Sequence, residues 1–288
     1  MECKKALTEC ENDLDGAMDW LRKHGAAKAG KKVAGRENAE GQVSLVISDD
    51  KKSAALVKVM SETDFAGRSE DFVNFVTDVT SVVMKQKLPE SSTISHQHIS
   101  GDEVMKMDGI DAKLNDAIVN IRENIQINSA DVFAVEDAEN NVLSGYLHNR
   151  APSSNVVGQS VAIVEMSSPE GNIAAAAEAG SKLAMHIVAA KPSYQTIESI
   201  PADVIEKEKS ILSEQMKDSG KPAEVLEKIV NGRMRKFYEE NVLIEQAHMV
   251  EEGNPKIKTF LEANGGLQIK KFIFTSYFSM VTLAALAR

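Results

Sequence analysis

The feature that most constrains the fold of this chain is a pair of apolar strands followed by an amphipathic helix, an arrangement that occurs twice. In its first occurrence, residues 42–47 and 54–60 are rich in Val, Leu and Ile and flank the polar run Ser-Asp-Asp-Lys-Lys, which predicts a strand hairpin. A helix then begins at Ser69, a residue able to cap free backbone N–H groups. Its apolar face recurs at helical spacing and comprises Phe72, Phe75, Val76, Val79, Val82 and Val83.

The second occurrence begins near residue 125 and ends with a longer helix. Strands are predicted within residues 125–135, 142–148 and 156–166, and a helix over residues 173–190 follows them. A further helix over residues 110–122 lies between the two occurrences, and residues 90–101 are predicted to be a polar connection. The pattern predicts an α+β fold of two related halves, in which helices pack on antiparallel sheets.

The remaining segments complete a division of the 288 residues into six parts. Two short helices are predicted at the start, and two charged helical stretches, 202–217 and 222–237, flank Ser-Gly-Lys-Pro and can fold into a hairpin. The uncharged run 272–287 is shorter than the roughly 20 residues that span a bilayer, so it is interpreted as a buried strand and an apolar tail. The parts are a helical module (1–25), a linker (26–41), a first core half (42–123), a second core half (124–200), a helical hairpin (201–238) and a return to the core with its tail (239–288).

The charge balance opposes a general role in nucleic-acid binding. The chain has 33 basic and 43 acidic residues and a formal charge of -10. One basic run, from Arg22 to Arg36, has no acidic residue within it and is interpreted either as a solvated linker or as an RNA site. Cys3 and Cys10 are seven residues apart, which suits reduced thiols on one helix face and a reducing compartment.

A short polar and aromatic turn joins the first hairpin to its helix. Thr63, Asp64 and Phe65 follow an apolar strand and precede Gly67. Phe65 is either a plug buried in the core or an exposed anchor for a partner. Aromatic side chains on short connections are favoured binding hot spots, because they desolvate much surface for little lost entropy.

The sequence gives little support for covalent chemistry. Asp64 and His186 could form an acid–base pair if the fold brought them together, but no third partner is evident. There is no nucleophile elbow or metal-ligand cluster, and the Gly-Lys-Lys run at residues 30–32 lacks the first Gly and the Ser or Thr of a phosphate-binding loop. A lone histidine among apolar helical residues is otherwise expected to be a hydrogen-bonded core group.

Four separated motifs resemble translation elongation factor Ts: the Thr-Asp-Phe turn, Met-Glu-Cys-Lys-Lys-Ala-Leu at residues 1–7, Ala-Met-His-Ile-Val-Ala-Ala-Lys-Pro at 184–192, and Ser-Gly-Lys-Pro at 219–222. The resemblance runs from residue 1 to about residue 274. It implies a ubiquitin-associated-like helical module at residues 1–25, which would lack the helix that normally precedes Met-Glu-Cys-Lys-Lys, and a protruding coiled-coil hairpin at 201–238.

The resemblance also implies a function without covalent chemistry, nucleotide exchange on elongation factor Tu. Thr63, Asp64, Phe65 and Ala66 would enter the partner near its Mg²⁺ site, with Ala66 in place of the more usual Val. The exchange factor itself would need no metal or other cofactor. Further partner contacts are implied for His186, Val157, Gly158 and Met1.

Several alternatives stay open at the level of sequence. The chain could bind elongation factor Tu as a scaffold without promoting exchange, and an enzyme that uses Asp64 and His186 is a third hypothesis. A homodimer or a 2:2 complex with elongation factor Tu is compatible with the hairpin, whereas direct binding to nucleic acid or a membrane is not expected. Motifs looser than those of bacterial factors favour a mitochondrial protein, and the cytoplasm of a bacterium is the alternative location.

Overall fold

A computed structural model describes residues 2–14, 16–17, 20, 35–86, 95–215, 223–278 and 283–286. Within these ranges the chain forms two antiparallel sheets with helices packed on them, which confirms the α+β fold class. Every helix in the described ranges is too short or too polar to cross a membrane.

The elements up to residue 134 form the first sheet and its helices. Ser69 caps the second of the two helices after the first hairpin as predicted, with its hydroxyl accepting from the Phe72 N–H at 3.3 Å. In chain order these elements are α1 (Glu2–Glu9), β1 (Glu40–Ile47), β2 (Ser53–Ser61), α2 (Asp64–Gly67), α3 (Glu70–Val83), β3 (His96–Ser100), α4 (Gly101–Val104), α5 (Ile110–Ile121) and β4 (Gln126–Ala134).

The elements after residue 134 form the second sheet and the hairpin helices. The long helix predicted over residues 173–190 is confirmed at both ends. In chain order the elements are β5 (Asn141–His148), β6 (Val157–Gly158), β7 (Ser160–Ser167), α6 (Ile173–Ala190), a 3₁₀ turn (Ile197–Ser199), α7 (Ala202–Glu214), α8 (Ala223–Asn241), a second 3₁₀ turn (Leu243–Glu245), α9 (Ile257–Ala263), β8 (Gln268–Ser276) and β9 (Leu283–Leu286).

The strand order differs from the expected division of the core after residue 123. The first sheet has the order β3-β4-β2-β1-β6 and the second has the order β5-β7-β8-β9. Strand β4 pairs antiparallel with β2 from Gln126 to Ala134, so it belongs to the first sheet although it follows residue 123. Strand β6 also crosses over to pair with β1.

Strand β3 corrects the prediction that residues 90–101 are only a connection. It pairs with β4 at the edge of the first sheet, and His96 and His98 both bond the buried carboxylate of Asp131, at 2.8 and 2.9 Å. Only Ile99 of the strand is buried. Because an edge strand with one buried residue lacks apolar alternation, its sequence gives no strand signal.

Three apolar clusters define the layers of the fold. Helices α3 and α5 cover one face of the first sheet, and α6 and α9 cover one face of the second. The two sheets pack on each other through their other faces, around Leu45, Leu56, Leu143 and Ile163. They approach so closely that a Cβ at Gly145 would lie 2.5 Å from Leu45 Cδ2, and this position therefore excludes larger residues.

The hairpin helices are present as predicted, whereas their connection at residues 216–222 lies outside the described residues. Helices α7 and α8 contact each other and bury Leu212 and Met234, while Ile211 and Val225 are partly exposed. The arms are therefore helical, and their arrangement as a protruding coiled coil stays a prediction.

The start of the chain is described only in part. Helix α1 confirms the first predicted helix, and Cys10 is a free thiol, as expected. Met1, most of the second predicted helix and residues 22–34 of the basic run lie outside the described residues. The ubiquitin-associated-like module therefore stays a prediction.

Candidate functional site

The turn between β2 and α3 is the strongest candidate for a binding site, and its shape follows from local hydrogen bonds. Thr63 is in extended conformation and caps α2, with its hydroxyl accepting from the Ala66 N–H at 3.2 Å. Ser69 then donates its hydroxyl to the Ala66 carbonyl at 2.7 Å and caps α3. Two caps in seven residues leave one turn of helix between two sharp changes of chain direction.

Two carboxylates join this turn to the end of α5. One belongs to Glu62, just before the turn, and the other to Glu123, just after α5. Glu123 accepts both the N–H and the hydroxyl of Thr63, at 3.0 and 2.6 Å. Glu62 accepts the Asn124 N–H at 2.6 Å and lies 3.4 Å from the Arg36 guanidinium. Bonds to ionised carboxylates are about twice as strong as neutral ones, so the turn is held rigidly.

Phe65 is 83% exposed, so the interpretation of this side chain as a buried plug is wrong. The buried side of α2 is occupied by Ala66 and Gly67 instead. Gln42 donates its side-chain amide to the Gly67 carbonyl at 3.1 Å, and a Cβ at Gly67 would lie 3.2 Å from the Ser61 hydroxyl. Because small residues take the inner positions of a single helical turn, the aromatic ring between them and Thr63 points outward.

Asp64 and Arg68 give this turn a mixed charge. Their side chains lie 3.7 Å apart, one helical turn from each other, and both are about half exposed. An exposed ion pair of this kind contributes little to stability. Both side chains are therefore available to exchange this contact for one with a partner.

His186 lies in a different environment, fully buried on α6. Its Nε2 lies 2.8 Å from the Gln246 side-chain oxygen, and its Nδ1 accepts from the Met249 N–H at 3.2 Å. These partners assign the proton to Nε2 of a neutral ring. Burial lowers the pKa of His186, and the bond with Gln246 opposes this shift only in part.

His186 helps to hold the loop of residues 246–251 on α6. His248 is buried beside it, with ring centroids 5.4 Å apart. Lys182, one helical turn before His186, bonds Glu251 at 2.9 Å. The loop leaves Met249 61% exposed, so a buried histidine supports an exposed apolar side chain.

Asp64 and His186 have separate partners, which leaves the hypothesis of an acid–base pair without support. Asp64 faces Arg68, whereas His186 bonds Gln246 and Met249. In the part of the chain that the structure describes, no three His, Cys, Asp or Glu side chains are grouped to hold a metal ion.

The other residues expected at a partner surface are buried or undescribed. Val157 is fully enclosed in the first core, and Gly158 pairs with Val43 of β1. A Cβ at Gly158 would lie 2.8 Å from the His148 carbonyl oxygen, so this position is tightly packed. Neither residue offers a side chain to a partner, as His186 does not, and Met1 lies outside the described residues.

Several residues that shape the two regions carry no local sequence signal. Glu123 and Gln246 each bond a residue about 60 positions away in sequence, so no local pattern marks them. Met249 lies in a polar segment and gives no periodic signal.

The structure is a scaffold that displays one aromatic ring on a braced turn, an arrangement typical of protein-interaction modules. The family model "Elongation factor TS" matches residues 62–277. The chain is 38% identical to elongation factor Ts of Rhodospirillum rubrum over 266 residues, which cover 92% of this chain and 81% of that protein. It is 40% identical to elongation factor Ts of Bartonella henselae over 258 residues, covering 89% and 78%. For elongation factor Ts of Aquifex aeolicus the values are 35% over 278 residues, 94% and 90%. The chain therefore belongs to the elongation factor Ts family.

Proposed function

We propose that this protein is a guanine-nucleotide exchange factor for elongation factor Tu and acts in translation elongation. Membership of the elongation factor Ts family supports the reaction and the partner. The observation that carries the proposal is the exposure of Phe65 on a turn fixed by Glu62 and Glu123. A rigid, exposed aromatic loses little entropy when it enters a pocket, as an intruding group must.

The proposed mechanism is mechanical and needs no covalent step. Phe65 and Asp64, with Thr63 and Ala66 as their support, enter the GTP-binding domain of elongation factor Tu close to its Mg²⁺ site. Mg²⁺ and backbone N–H groups together neutralise the phosphates of a bound nucleotide in such domains. Displacing the ion leaves phosphate charge uncompensated and lowers the barrier to GDP release.

Thermodynamic linkage limits what such a factor can do. If the factor weakens nucleotide binding by a given ratio, then nucleotide weakens binding of the factor by the same ratio. GTP entry therefore releases the factor from elongation factor Tu. The factor accelerates exchange, and the cellular ratio of GTP to GDP determines which nucleotide is loaded.

His186 is proposed to support a contact with elongation factor Tu indirectly, by holding the loop of residues 246–251 in place. Its Nδ1 bond to the Met249 backbone places an exposed apolar side chain on the surface. Val157 and Gly158 would act likewise, by fixing the path of the chain beside β1. Met1 with the two N-terminal helices, and the hairpin of α7 and α8, are proposed as additional contacts with elongation factor Tu.

The decisive experiment is stopped-flow release of a fluorescent GDP from elongation factor Tu, with wild-type protein, Phe65→Ala and Phe65→Leu. We expect wild-type protein to accelerate release, Phe65→Ala to abolish most of the acceleration and Phe65→Leu to retain an intermediate part. The two variants keep the same exposed backbone position, so their difference measures the side chain alone. Equal acceleration by all three proteins would refute the role of Phe65.

A scaffold that binds elongation factor Tu without exchange activity is the second hypothesis. It predicts a stoichiometric complex and a rate of GDP release equal to that of elongation factor Tu alone. Size-exclusion chromatography with light scattering on the same mixtures tests it, and distinguishes a 1:1 complex from the 2:2 complex or homodimer that hairpin contacts would produce.

A mitochondrial site of action is a further part of the proposal, supported by the departures of this sequence from the family pattern, such as Ala66. The relatives compared above are bacterial. The upstream coding sequence tests this location: an Arg- and Ser-rich, acid-poor extension that directs import supports it. Elongation factor Tu alone, without nucleic acid or a membrane, is the proposed partner.

A further inference from the structure

The last residues of β8 return the chain to the turn that carries Phe65. Tyr277 follows this strand and is buried, and its N–H donates to the Gln159 carbonyl at 3.2 Å. Burial and a hydrogen bond from its hydroxyl to the Glu40 carboxylate raise the pKa of Tyr277 to about 12. Gln159 follows Gly158, which pairs with Val43 of β1. The neighbouring residue of that strand, Gln42, donates its side-chain amide to the Gly67 carbonyl of α2 at 3.1 Å, so Tyr277 lies near the part of β1 that supports α2.

Phe278 extends this contact to the surface. Its ring lies on that of Tyr277, with centroids 3.7 Å apart and planes 34° apart, yet it remains 69% exposed. A large aromatic side chain with so much exposed surface gains little from folding. Phe65 and Phe278 are the two phenylalanine side chains with the largest exposed fractions in the described residues.

We propose that Phe278 is a second aromatic contact for the GTP-binding domain of elongation factor Tu, positioned by Tyr277 next to the contact made by Phe65. This inference rests on the proposed function, because it takes the partner from that proposal. Continuity favours this occupant, since Phe278 packs on Tyr277, and Tyr277 is linked through Gln159 and β1 to the turn that carries Phe65. A partner that receives the α2 turn must also approach Tyr277 and its neighbour.

The two aromatics differ in what they do for exchange. Phe65 stands on the turn proposed to enter the Mg²⁺ site, so its loss lowers the maximal rate of GDP release. Phe278 is held against Tyr277 beside that turn, so its loss weakens the complex and leaves the maximal rate nearly unchanged. An interfacial aromatic of this kind typically changes affinity by about 10-fold or more on truncation.

The test measures GDP release from full-length elongation factor Tu against concentration of the full chain, for wild type, Phe65→Ala, Phe278→Ala and Phe278→Leu. We expect Phe278→Ala to raise the concentration for half-maximal acceleration by about 10-fold, with Phe278→Leu between it and wild type. Thermal unfolding of both variants at this position should match that of the wild type, because the ring is mostly exposed.

The outcomes separate this inference from the proposed function. Acceleration by wild type that Phe65→Ala abolishes and Phe278→Ala leaves unchanged would overturn the second contact and keep exchange. Absence of acceleration by wild type would refute the proposed function. In that case a direct binding measurement decides the contact, and equal dissociation constants for Phe278→Ala and wild type would overturn it.

A photo-crosslinking residue at position 278 identifies what covers this surface. Crosslinks within the GTP-binding domain of elongation factor Tu support the proposal. Crosslinks confined to another domain, or to a second copy of this chain, contradict it.

Discussion

The two proposed contact regions are built in opposite ways. On the α2 turn the proposed binding group, Phe65, is itself exposed, and the hydrogen bonds that fix the turn come from Thr63, Glu62 and Glu123. In the loop of residues 246–251 the polar group, His186, is fully buried, and an apolar neighbour on the loop reaches the surface. On the α2 turn the residue proposed to bind contributes little to folding. In the loop the residue that supports the proposed contact is itself part of the folded core.

This difference determines what a mutation can reveal. Removing an exposed ring takes little from the free energy of unfolding, so its effect on exchange is read directly. Removing a buried imidazole that makes two hydrogen bonds leaves its polar partners unsatisfied, so the substitution impairs binding and folding at the same time.

The largest expected effect is on exchange, from Phe65→Ala. The acceleration of GDP release should fall by about 100-fold, a loss typical of an interfacial hot spot, while the free energy of unfolding changes by less than about 0.5 kcal/mol. Stopped-flow fluorescence and urea denaturation measure the two quantities. Loss of stability comparable with the loss of exchange would break the contrast between the two regions.

The second effect is on stability, from His186→Ala. We expect a loss of about 3 kcal/mol, because the substitution opens a cavity and leaves the Gln246 oxygen and the Met249 N–H without a partner. Urea denaturation measures it. Met249→Ala is the matched variant, since it removes the exposed side chain of the same loop and should weaken the complex at nearly wild-type stability.

The third effect is a dependence of stability on pH that the buried histidines produce. Burial lowers the pKa of His248 to about 4, with repulsion from His186 as a further cause, so the folded chain binds protons less readily than the unfolded chain. The contribution of neutral His248 to the free energy of unfolding is therefore fully present above the unfolded pKa of about 6.5. It is lost as the pH decreases toward 4, by up to about 3 kcal/mol.

Chemical denaturation at a series of pH values measures this dependence. His248→Asn removes the titrating group and keeps an acceptor near the Val250 and Glu251 N–H groups that His248 now serves. The slope between pH 6.5 and 4 should be smaller for this variant. An unchanged slope would assign the acid sensitivity to other groups.

The smallest effect concerns the brace of the α2 turn. Glu123→Gln keeps the size of the side chain and removes its charge, so the bonds to Thr63 weaken and stability should fall by about 1 kcal/mol. The loss of exchange activity should be several-fold smaller than the loss caused by Phe65→Ala. An effect on exchange as large as that of Phe65→Ala would indicate that rigidity of the turn, and not the ring, limits the rate.

Much of this architecture could be predicted because its signals are local. The Ser69 cap, the face from Phe72 to Val83 and the helix from Ile173 to Ala190 depend on residues a few positions apart. The hairpin of β1 and β2 was equally readable from two apolar runs and a polar turn.

The elements that escaped prediction depend on distant pairs. Strand β4 joins the first sheet because of its ladder with β2, some 70 residues earlier, and β3 is an edge strand with a single buried side chain. The exposure of Phe65 could not be decided from its residue type, because Ala66 and Gly67 fill the inner side only in the folded turn. The burial of His186 likewise depends on Gln246, 60 residues later.

The brace of the α2 turn also has a kinetic consequence. Thr63 and Glu62 are bonded by residues 60 and 62 positions further along, so these bonds close only after α5 and β4 have docked on the first hairpin. Contacts of such high sequence separation form late, because a long loop must first be closed. A nascent or partly folded chain therefore lacks the ordered turn that displays Phe65. The protein can therefore bind its partner through this turn only after the first sheet and its helices have folded. Binding through Phe65 selects chains in which this part of the core is complete.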